Sequence, residues 1–348
     1  MEYRPLGRTG LKVSNICLGT MTWGQQNTEE EGFAQMDYAL DKGINFFDTA
    51  ELYAIPPRAE TQGSTETIVG NWFESRKARD KVILATKVTG RAPMPWFRPF
   101  ADATQVDAEN IEYAVEQSLK RLKTDYIDLY QIHWPDRPVA LFGSKPNMYK
   151  HQDGPMVPFD EQLRAMENVI KAGKVRHIGL SNETPWGTMR FVMHAEMDGL
   201  PRVQTIQNAY NLLNRTYEMG LAEIDFQENV GLLSYSPLGQ GYLTGKYQRG
   251  ALPEGSRKAL FNRLQRYEGP GIEEAIDKYE AVARKFGTTI TALALKFCDT
   301  RAFMTSTIIG ATSMDQLIED IDGFDLEWSD EIEEAVTAVH LSNPNPSN

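Results

Sequence analysis

The sequence predicts a (β/α)8 barrel, because short apolar strands alternate with amphipathic helices along the chain and the alternation gives eight strand–helix units. Strands separated by helices run parallel through right-handed crossovers, and eight such units can close into a barrel. No segment rich in Gly, Ser or Pro divides the chain, so residues 1–348 are predicted to form a single domain. An open doubly wound sheet is the main structural alternative.

The first four strands are recognised from apolar runs that follow helical periodicity. Strand ICLGT is followed by a helix from Thr28 to Lys42, which Gly43 ends as a left-handed cap, and then by strand INFF. A helix with apolar residues at 68, 69, 72 and 73 precedes the β-branched strand KVILATK. A helix with apolar residues at 111, 115, 119 and 122 precedes strand YIDLYQIH.

The second half of the chain repeats the same unit. A helix closed by Gly173 precedes strand KVRHIGLSN, and a helix near 185–198 precedes strand RVQTIQ. A helical stretch over about 214–228 precedes strand VGLLSYS. Helices near 271–286 and 289–299 then lead to strand TSTIIG and a helix from Ser313 to Ile321.

Composition and charge exclude several classes of protein. The chain is 41% hydrophobic and 24% charged, with a net charge of -12, and its 36 Lys and Arg residues are scattered, so no basic surface for nucleic acid is predicted. The N-terminus meets charge too early for a signal peptide, and no apolar stretch approaches the roughly 20 residues that span a bilayer. We therefore expect a cytoplasmic protein without a membrane partner. No feature predicts an oligomeric state.

Cysteine and histidine spacing predicts neither disulfides nor a metal site. Cys17 and Cys298 are far apart and outside any C-x-x-C pattern, so both are expected to be buried small hydrophobic residues. The five histidines form no H-E-x-x-H pair. No metal is predicted.

Two connections are longer than a compact barrel requires. The first long loop (residues 90–107) and the second long loop (residues 134–158) each follow a strand, which places both at the carboxyl end of a barrel, where active sites form. Their large side chains are costly to leave in water, so the loops are a candidate substrate lid rather than plain surface loops. The aromatic residues concerned are Trp96, Phe97, Phe100, Trp134 and Phe142.

Hydrogen-bonding side chains stand at the ends of six successive strands. These residues are Asp48, Lys87, His133, Asn182, Gln207 and Tyr235. In a barrel they would point into a common pocket. Taken alone, Asp48 has another interpretation, because Asp48-Thr-Ala-Glu51 also has the form of a helix capping box.

Four of the residues in this region suit protonation of a carbonyl oxygen. A phenol titrates near pH 10, so Tyr53 needs a nearby cation to stabilise its anion by roughly 4 kcal/mol. Lys87 can supply that charge, Asp48 can keep Lys87 charged, and neutral His133 can bind the substrate oxygen. Side chains cannot supply a hydride, so this chemistry implies a nicotinamide cofactor.

Phosphate-binding signals are weak but present after the last two strands. No G-x-G-x-x-G follows a strand, and the stretch from Gly239 to Gly245 has the wrong final spacing and also lacks the P-loop pattern. That stretch is a flexible loop that could fold over a pyrophosphate. Gly310-Ala-Thr-Ser313 opens a helix whose unpaired amides can receive a phosphate.

The chain resembles the aldo-keto reductases over nearly its whole length, especially the long-loop bacterial Tas-like branch. The stretches that carry the resemblance are PLGRTGLKVSNICLGTMTWG, GINFFDTAELY, LATKV, SLKRLKTDYIDLYQIHWPD, GKVRHIGLSN, YSPLGQGYLTGKY and IIGATSMDQL. By resemblance, Asp48, Tyr53, Lys87 and His133 match the family's catalytic tetrad, with Tyr53 as general acid. This disfavours the capping interpretation of Asp48.

The resemblance also implies residues for NADP(H). Ser181, Asn182 and Gln207 would bind the carboxamide, and Tyr235 would stack on the nicotinamide. The phosphates and the adenosine end would be surrounded by Ser236, Leu238, Gly239, Gly241, Lys246, Arg257, Gly310, Thr312, Ser313 and Gln316. Lys246 and Arg257 suit a 2'-phosphate and favour NADP over NAD. The chain departs from the family at Asp320, which stands where Asn is common at the adenine and adds a carboxylate near a phosphate.

Three functions are compatible with these residues. The leading one is an NADPH-dependent reductase of aldehydes or ketones, with Trp23, Trp96 and Trp134 as candidate substrate contacts. The second is a lyase that uses Lys87 as a Schiff-base nucleophile, which Asp48 disfavours by keeping the amine charged. The third is a cofactor-binding regulatory subunit with little turnover. The identity of the substrate is not predicted.

Overall fold

The structure is a computed structural model that describes residues 1–140, 150–263 and 265–347. Phe142, one of the predicted lid residues, lies outside the described residues. The strands of the described chain are Tyr3–Pro5 (β1), Lys12–Ser14 (β2), Ile16–Gly19 (β3), Phe46–Asp48 (β4), Ile83–Val88 (β5), Ile127–Ile132 (β6), Val175–Ser181 (β7), Val203–Ala209 (β8), Gly231–Tyr235 (β9) and Met304–Ile309 (β10).

Strands β3 to β10 form a closed barrel in which all neighbours are parallel. Each strand pairs with the next one along the chain, and β10 pairs with β3 to complete the circle. All eight strands predicted from the sequence are present, and the alternative of an open doubly wound sheet is wrong.

Helices connect the barrel strands and cover their outer surface. Those of the described residues are Glu29–Asp41 (α1), Ser64–Arg76 (α2), Ala108–Leu122 (α3), Phe159–Lys171 (α4), Pro185–Asp198 (α5), Leu221–Glu228 (α6), Arg257–Phe261 (α7), Ile272–Lys285 (α8), Ile290–Asp299 (α9), Met314–Asp322 (α10) and Asp330–Ser342 (α11). Helix α1 begins with a capping box in which Thr28 and Glu31 satisfy each other's backbone amides.

Three features of the fold differ from the sequence prediction. The helix predicted over 214–228 is broken, because Gly220 takes a φ of 140° and separates a short 3-10 helix, Thr216–Glu218, from α6. Helices α7 and α11 were not predicted. The antiparallel hairpin of β1 and β2 was not predicted either, and its Leu6 and Val13 join the buried cluster inside the barrel.

The side chains of the barrel strands alternate between the interior and the helical layer. Phe46, Ala85, Leu129 and Leu233 belong to the inner apolar cluster. Phe47, by contrast, faces outward and packs against Trp72 of α2, with ring centroids 5.7 Å apart. Residues two positions further along each strand must therefore face inward again, one layer nearer the carboxyl end.

Candidate active site

The layer above the inner apolar cluster is polar, and it contains the predicted tetrad. Asp48, Lys87 and Gln131 each stand two residues after a member of that cluster, on β4, β5 and β6. Alternation along the strands therefore aims all three side chains into the barrel, where they are buried. The structure brings the amine of Lys87 within hydrogen-bonding distance of Asp48 and Tyr53.

Lys87 is the centre of the site. Its side chain is 0% exposed, and its Nζ donates to Asp48 Oδ1 at 2.5 Å, to the carbonyl oxygen of Thr49 at 2.8 Å and to Tyr53 Oη at 3.4 Å. Burial alone would lower the pKa of Lys87, but Asp48 and Tyr53 outweigh it and the pKa is raised. The amine is therefore held in its charged form.

Asp48 is oriented by two glutamine side chains. Its Oδ2 accepts from Gln131 Nε2 at 3.1 Å and from Gln207 Nε2 at 2.8 Å, so both oxygens of the carboxylate are bonded. These contacts leave no helix-capping role for Asp48, and the chain after it forms a turn. Sequence reasoning missed Gln131, although its position two residues before His133 on the same strand places it on the same inner face.

Tyr53 carries the phenol that faces the amine. Its ring centre lies 4.9 Å from Lys87 Nζ, and the residue is 9% exposed. Burial raises the pKa of Tyr53, and the opposing effect of Lys87 is smaller. The expectation that Lys87 would dominate and lower the pKa of Tyr53 is therefore wrong in direction. The phenol carries its proton at neutral pH, which is the form that a general acid needs.

His133 completes the group as a neutral ring. Its ring packs edge-on against that of Tyr53, with centroids 5.6 Å apart. Burial, and then the charge of Lys87, hold the pKa of His133 well below its usual range. Its Nδ1 is buried and has no hydrogen-bond partner within the described residues. A neutral imidazole can bind a polar oxygen without competing for the proton of Tyr53.

Side chains at the ends of β7, β8 and β9 form one connected hydrogen-bond network. Ser181 Oγ donates to the carbonyl oxygen of Gln207 at 2.8 Å, and Asn182 Nδ2 donates to the carbonyl oxygen of His133 at 2.9 Å. Tyr235 Oη donates to Asn182 Oδ1 at 2.6 Å. Asn182 has a φ of 55°. The structure thus places all four predicted nicotinamide residues at one side of the tetrad.

The segment after β9 turns sharply and carries two cations. Ser236, Gly239 and Gly241 have positive φ, and Leu238 precedes a 3-10 helix over Gly239–Thr244. Gly241 has a φ of 96°, which favours glycine, and the side chain of Lys246 folds back over it. Within the described residues, neither Lys246 nor Arg257 makes a hydrogen bond or ion pair.

Within the part of the chain that the structure describes, no carboxylate is paired with Arg257. Burial, together with the nearby guanidinium groups of Arg266 and Arg263, lowers the pKa of Arg257 to about 10. A cation that is partly desolvated beside other cations gains from binding an anion. Arg257 thus fits a phosphate.

The start of α10 offers a second set of polar groups after β10. Ser313 caps the helix by accepting from the amide of Gln316, and Thr312 donates to Gln316 Oε1 at 3.1 Å, just after Gly310. Asp320 lies one turn further and is 5% exposed. Burial, and then Glu319, raise the pKa of Asp320 to about 8. At neutral pH it is mostly protonated, so the expected extra charge near a phosphate is largely absent.

The three predicted substrate residues occupy different environments. Trp134 belongs to a buried cluster with Tyr53 and Phe97 at the carboxyl end of the barrel. Trp96 is 45% exposed. Trp23 is fully buried in the main core and its indole nitrogen donates to Gln35, so the structure does not bring it to the mouth of the barrel.

Two further features bear on the class of protein. Within residues 1–140, 150–263 and 265–347, no cluster of His, Cys, Asp and Glu side chains could hold a metal ion. In the same part of the chain, every helix is too short or too polar to cross a membrane.

The closed barrel and its buried Asp–Lys–Tyr–His group are consistent with an oxidoreductase. The chain belongs to the Aldo/keto reductase family, whose sequence pattern matches residues 15–340. It is similar to Protein tas of Escherichia coli, with 46% identity over 342 residues and coverage of 98% of each chain. It is 35% identical to the uncharacterized oxidoreductase YrpG of Bacillus subtilis, covering 95% of this chain and 94% of the relative. It is 30% identical to a probable voltage-gated potassium channel subunit beta of Arabidopsis thaliana, covering 94% and 92%.

Proposed function

We propose that the protein is an NADPH-dependent reductase that converts aldehydes or ketones to alcohols, with Tyr53 as the proton donor. The observation that carries the proposal is the position of Lys87 Nζ, which contacts both Asp48 and Tyr53 inside the barrel, toward its carboxyl end. Few other tasks require a buried cation beside a protonated phenol. The family assignment supports the oxidoreductase class.

The residues around the site fit the cofactor. Lys246 and Arg257 form no ion pair within the described residues, and such cations suit the 2'-phosphate that distinguishes NADPH from NADH. Ser181, Asn182 and Gln207 would hold the carboxamide, and Tyr235 would face the ring. When bound, NADPH supplies the hydride.

The protein's own residues supply position and the proton. The neutral ring of His133 binds the carbonyl oxygen and aims it at Tyr53, which donates its hydroxyl proton as negative charge develops on that oxygen. Lys87 stabilises the resulting phenolate through the 3.4 Å contact. Asp48 keeps Lys87 charged.

Substitution of Tyr53 by Phe tests the proton donor. We expect the rate of NADPH consumption with an aldehyde panel to fall about 10²–10⁴-fold, because general acid catalysis contributes that much. Tyr130→Phe is the matched control, since it also removes a buried phenol hydroxyl, one without a partner in the described residues. Full turnover by the Tyr53 variant would refute the assignment, and NADPH binding measured by fluorescence should be retained in both variants.

A regulatory role is the second candidate, because one relative bears the name of a potassium channel subunit. Tight NADPH retention together with very slow turnover of every aldehyde would support it. The lyase hypothesis is disfavoured by the raised pKa of Lys87, since a Schiff base requires a neutral amine. Borohydride trapping of a carbonyl compound on Lys87 would revive it.

A further inference from the structure

We infer that the buried ion pair between Glu51 and Arg98 positions the wall of the substrate pocket and so selects carbonyl compounds with an apolar substituent. This inference rests on the proposed reductase function. It assigns a positioning role to two residues that do not touch the reacting atoms. It also concerns the first long loop, a candidate substrate lid.

The ion pair is bidentate and almost completely buried. Arg98 Nη1 donates to Glu51 Oε2 at 3.0 Å, and Arg98 Nη2 donates to Glu51 Oε1 at 2.8 Å. The two side chains are 1% and 2% exposed. Arg98 Nε donates to Asn110 Oδ1 of α3 at 2.9 Å. Such parallel bonds fix orientation as well as distance.

Glu51 belongs to the segment that carries two residues of the tetrad, since it lies between Asp48 and Tyr53 in the chain. Its Oε1 also accepts from the backbone amide of Thr89, just after β5, at 2.7 Å. The carboxylate therefore ties the turn that bears Tyr53 to the strand that bears Lys87. Arg98 extends the same connection to the first long loop.

The loop residue next to Arg98 forms the wall. Phe97 is buried in one cluster with Tyr53 and Trp134, and Met94 and Ala92 of the loop pack against this cluster. The guanidinium of Arg98 lies 5.3 Å from the ring centre of Phe97. A shift of Arg98 would therefore move the apolar surface that borders the reactive phenol.

Both ends of the first long loop are held by a second carboxylate. Asp136 is buried and its Oδ1 accepts from Arg91 Nη2 at 2.8 Å, while its Oδ2 accepts from the amide of Val106 at 2.6 Å. It also accepts from the amide of Val157 in the second long loop at 2.9 Å. With its ends fixed there and its middle fixed by Arg98, the loop forms a wall with a set shape.

This arrangement determines what the wall can recognise. The charge of Arg98 is matched by Glu51, so the loop offers no unpaired guanidinium to a substrate at this point. Phe97, Met94 and Trp134 leave an apolar lining beside Tyr53. An aryl or alkyl substituent gains from contact with this surface, whereas a carboxylate would lose its hydration.

Hydrogen exchange tests the positioning role without reference to catalysis. In Arg98→Met, amide exchange in residues 90–107 should accelerate at least tenfold. The exchange rate of Arg98→Lys should lie between those of Arg98→Met and the native protein. Arg79→Met is the matched control, because Arg79 forms a largely buried ion pair with Asp128 at the amino end of β6, and neither residue belongs to a long loop. Unchanged exchange in the loop of Arg98→Met, or equal acceleration in the control, would overturn the positioning role.

Steady-state kinetics tests the selectivity. The ratio of kcat/KM for 4-nitrobenzaldehyde to that for acetaldehyde, which is too small to reach the wall, should fall at least tenfold in Arg98→Met, mainly through KM. The ratio should stay unchanged in Arg79→Met. If hydrogen exchange in the loop of Arg98→Met accelerated while the kcat/KM ratio stayed unchanged, the role of the ion pair in substrate selection would be refuted. Absence of turnover in the native protein would instead refute the reductase function, and hydrogen exchange would still decide the positioning role.

Discussion

Replacement of Asp48 by Asn would leave Lys87 buried without its counter-charge. The new side chain has the same shape, so the packing of the barrel is kept while the 2.5 Å ion pair is lost. Lys87 would then face only neutral acceptors, namely the carbonyl of Thr49, the hydroxyl of Tyr53 and the amide oxygen of the new asparagine. Breaking a buried pair in this way costs about 3–5 kcal/mol, because the remaining charge is neither paired nor hydrated.

The expected loss can be converted to a change in melting temperature. Unfolding entropy near 60 °C is about 2.1 cal/mol/K per residue, which for 348 residues gives roughly 0.7 kcal/mol/K. A loss of about 3–5 kcal/mol therefore lowers Tm by about 4–7 °C. Differential scanning calorimetry resolves such a shift. The double variant Asp48→Asn/Lys87→Met, which removes both charges, should recover most of it.

The pH dependence of the free energy of unfolding provides the decisive result. In the native protein the pKa of Lys87 is raised, so its contribution is complete below its unfolded pKa and is lost only as the pH rises through the folded value. In Asp48→Asn the folded pKa should lie below the unfolded one, and stability should increase as the pH rises from 7 toward about 10. If the free energy of unfolding of the variant changed with pH in the same way as that of the native protein, the charged, buried state of Lys87 would be refuted.

Three further outcomes are expected. Asp225→Asn should raise the free energy of unfolding by about 1–4 kcal/mol at pH 8 and leave it unchanged at pH 3, as urea titration at both pH values would show. Burial raises the folded pKa of Asp225 to about 7, so the native protein loses stability as the pH rises from the unfolded pKa to that value, and asparagine removes this loss. Lys246→Met and Arg257→Met should each weaken NADPH binding at least tenfold and leave NADH binding nearly unchanged, as titration calorimetry would show. Gln131→Leu should lower kcat about tenfold with little change in cofactor affinity, because Asp48 loses one of its two orienting donors; equal effects on both would contradict this role.

The barrel and the tetrad could be predicted because both depend on local patterns. Apolar strands ending in polar residues identify a barrel mouth, and the alternation that buries Phe46 also turns Asp48 inward. The same reasoning could have found Gln131, whose strand position relative to His133 is visible in the sequence. The resemblance to a known family added the assignment of roles.

Other features depend on contacts between distant segments and could not be predicted. The ion pair of Glu51 with Arg98 joins residues whose proximity follows only from the path of a long loop. The direction of the pKa of Tyr53 depends on the balance between burial and one cation, which a residue list does not give. The position of Trp23 in the core follows from its packing beside α1, where a Cβ on Gly32 would lie 3.2 Å from the indole.

The hairpin of β1 and β2 closes the amino end of the barrel, so the interior is open only at the carboxyl end. Leu6 and Val13 fill the amino end of the barrel with hydrocarbon, which leaves the carboxyl end, where Tyr53 stands, as the side from which Lys87 can be reached. Under the proposed reductase function, cofactor and substrate would share that one opening. The molecule that lies deeper would then bind first and leave last, so N-terminal strands remote from the chemistry would set the order of binding.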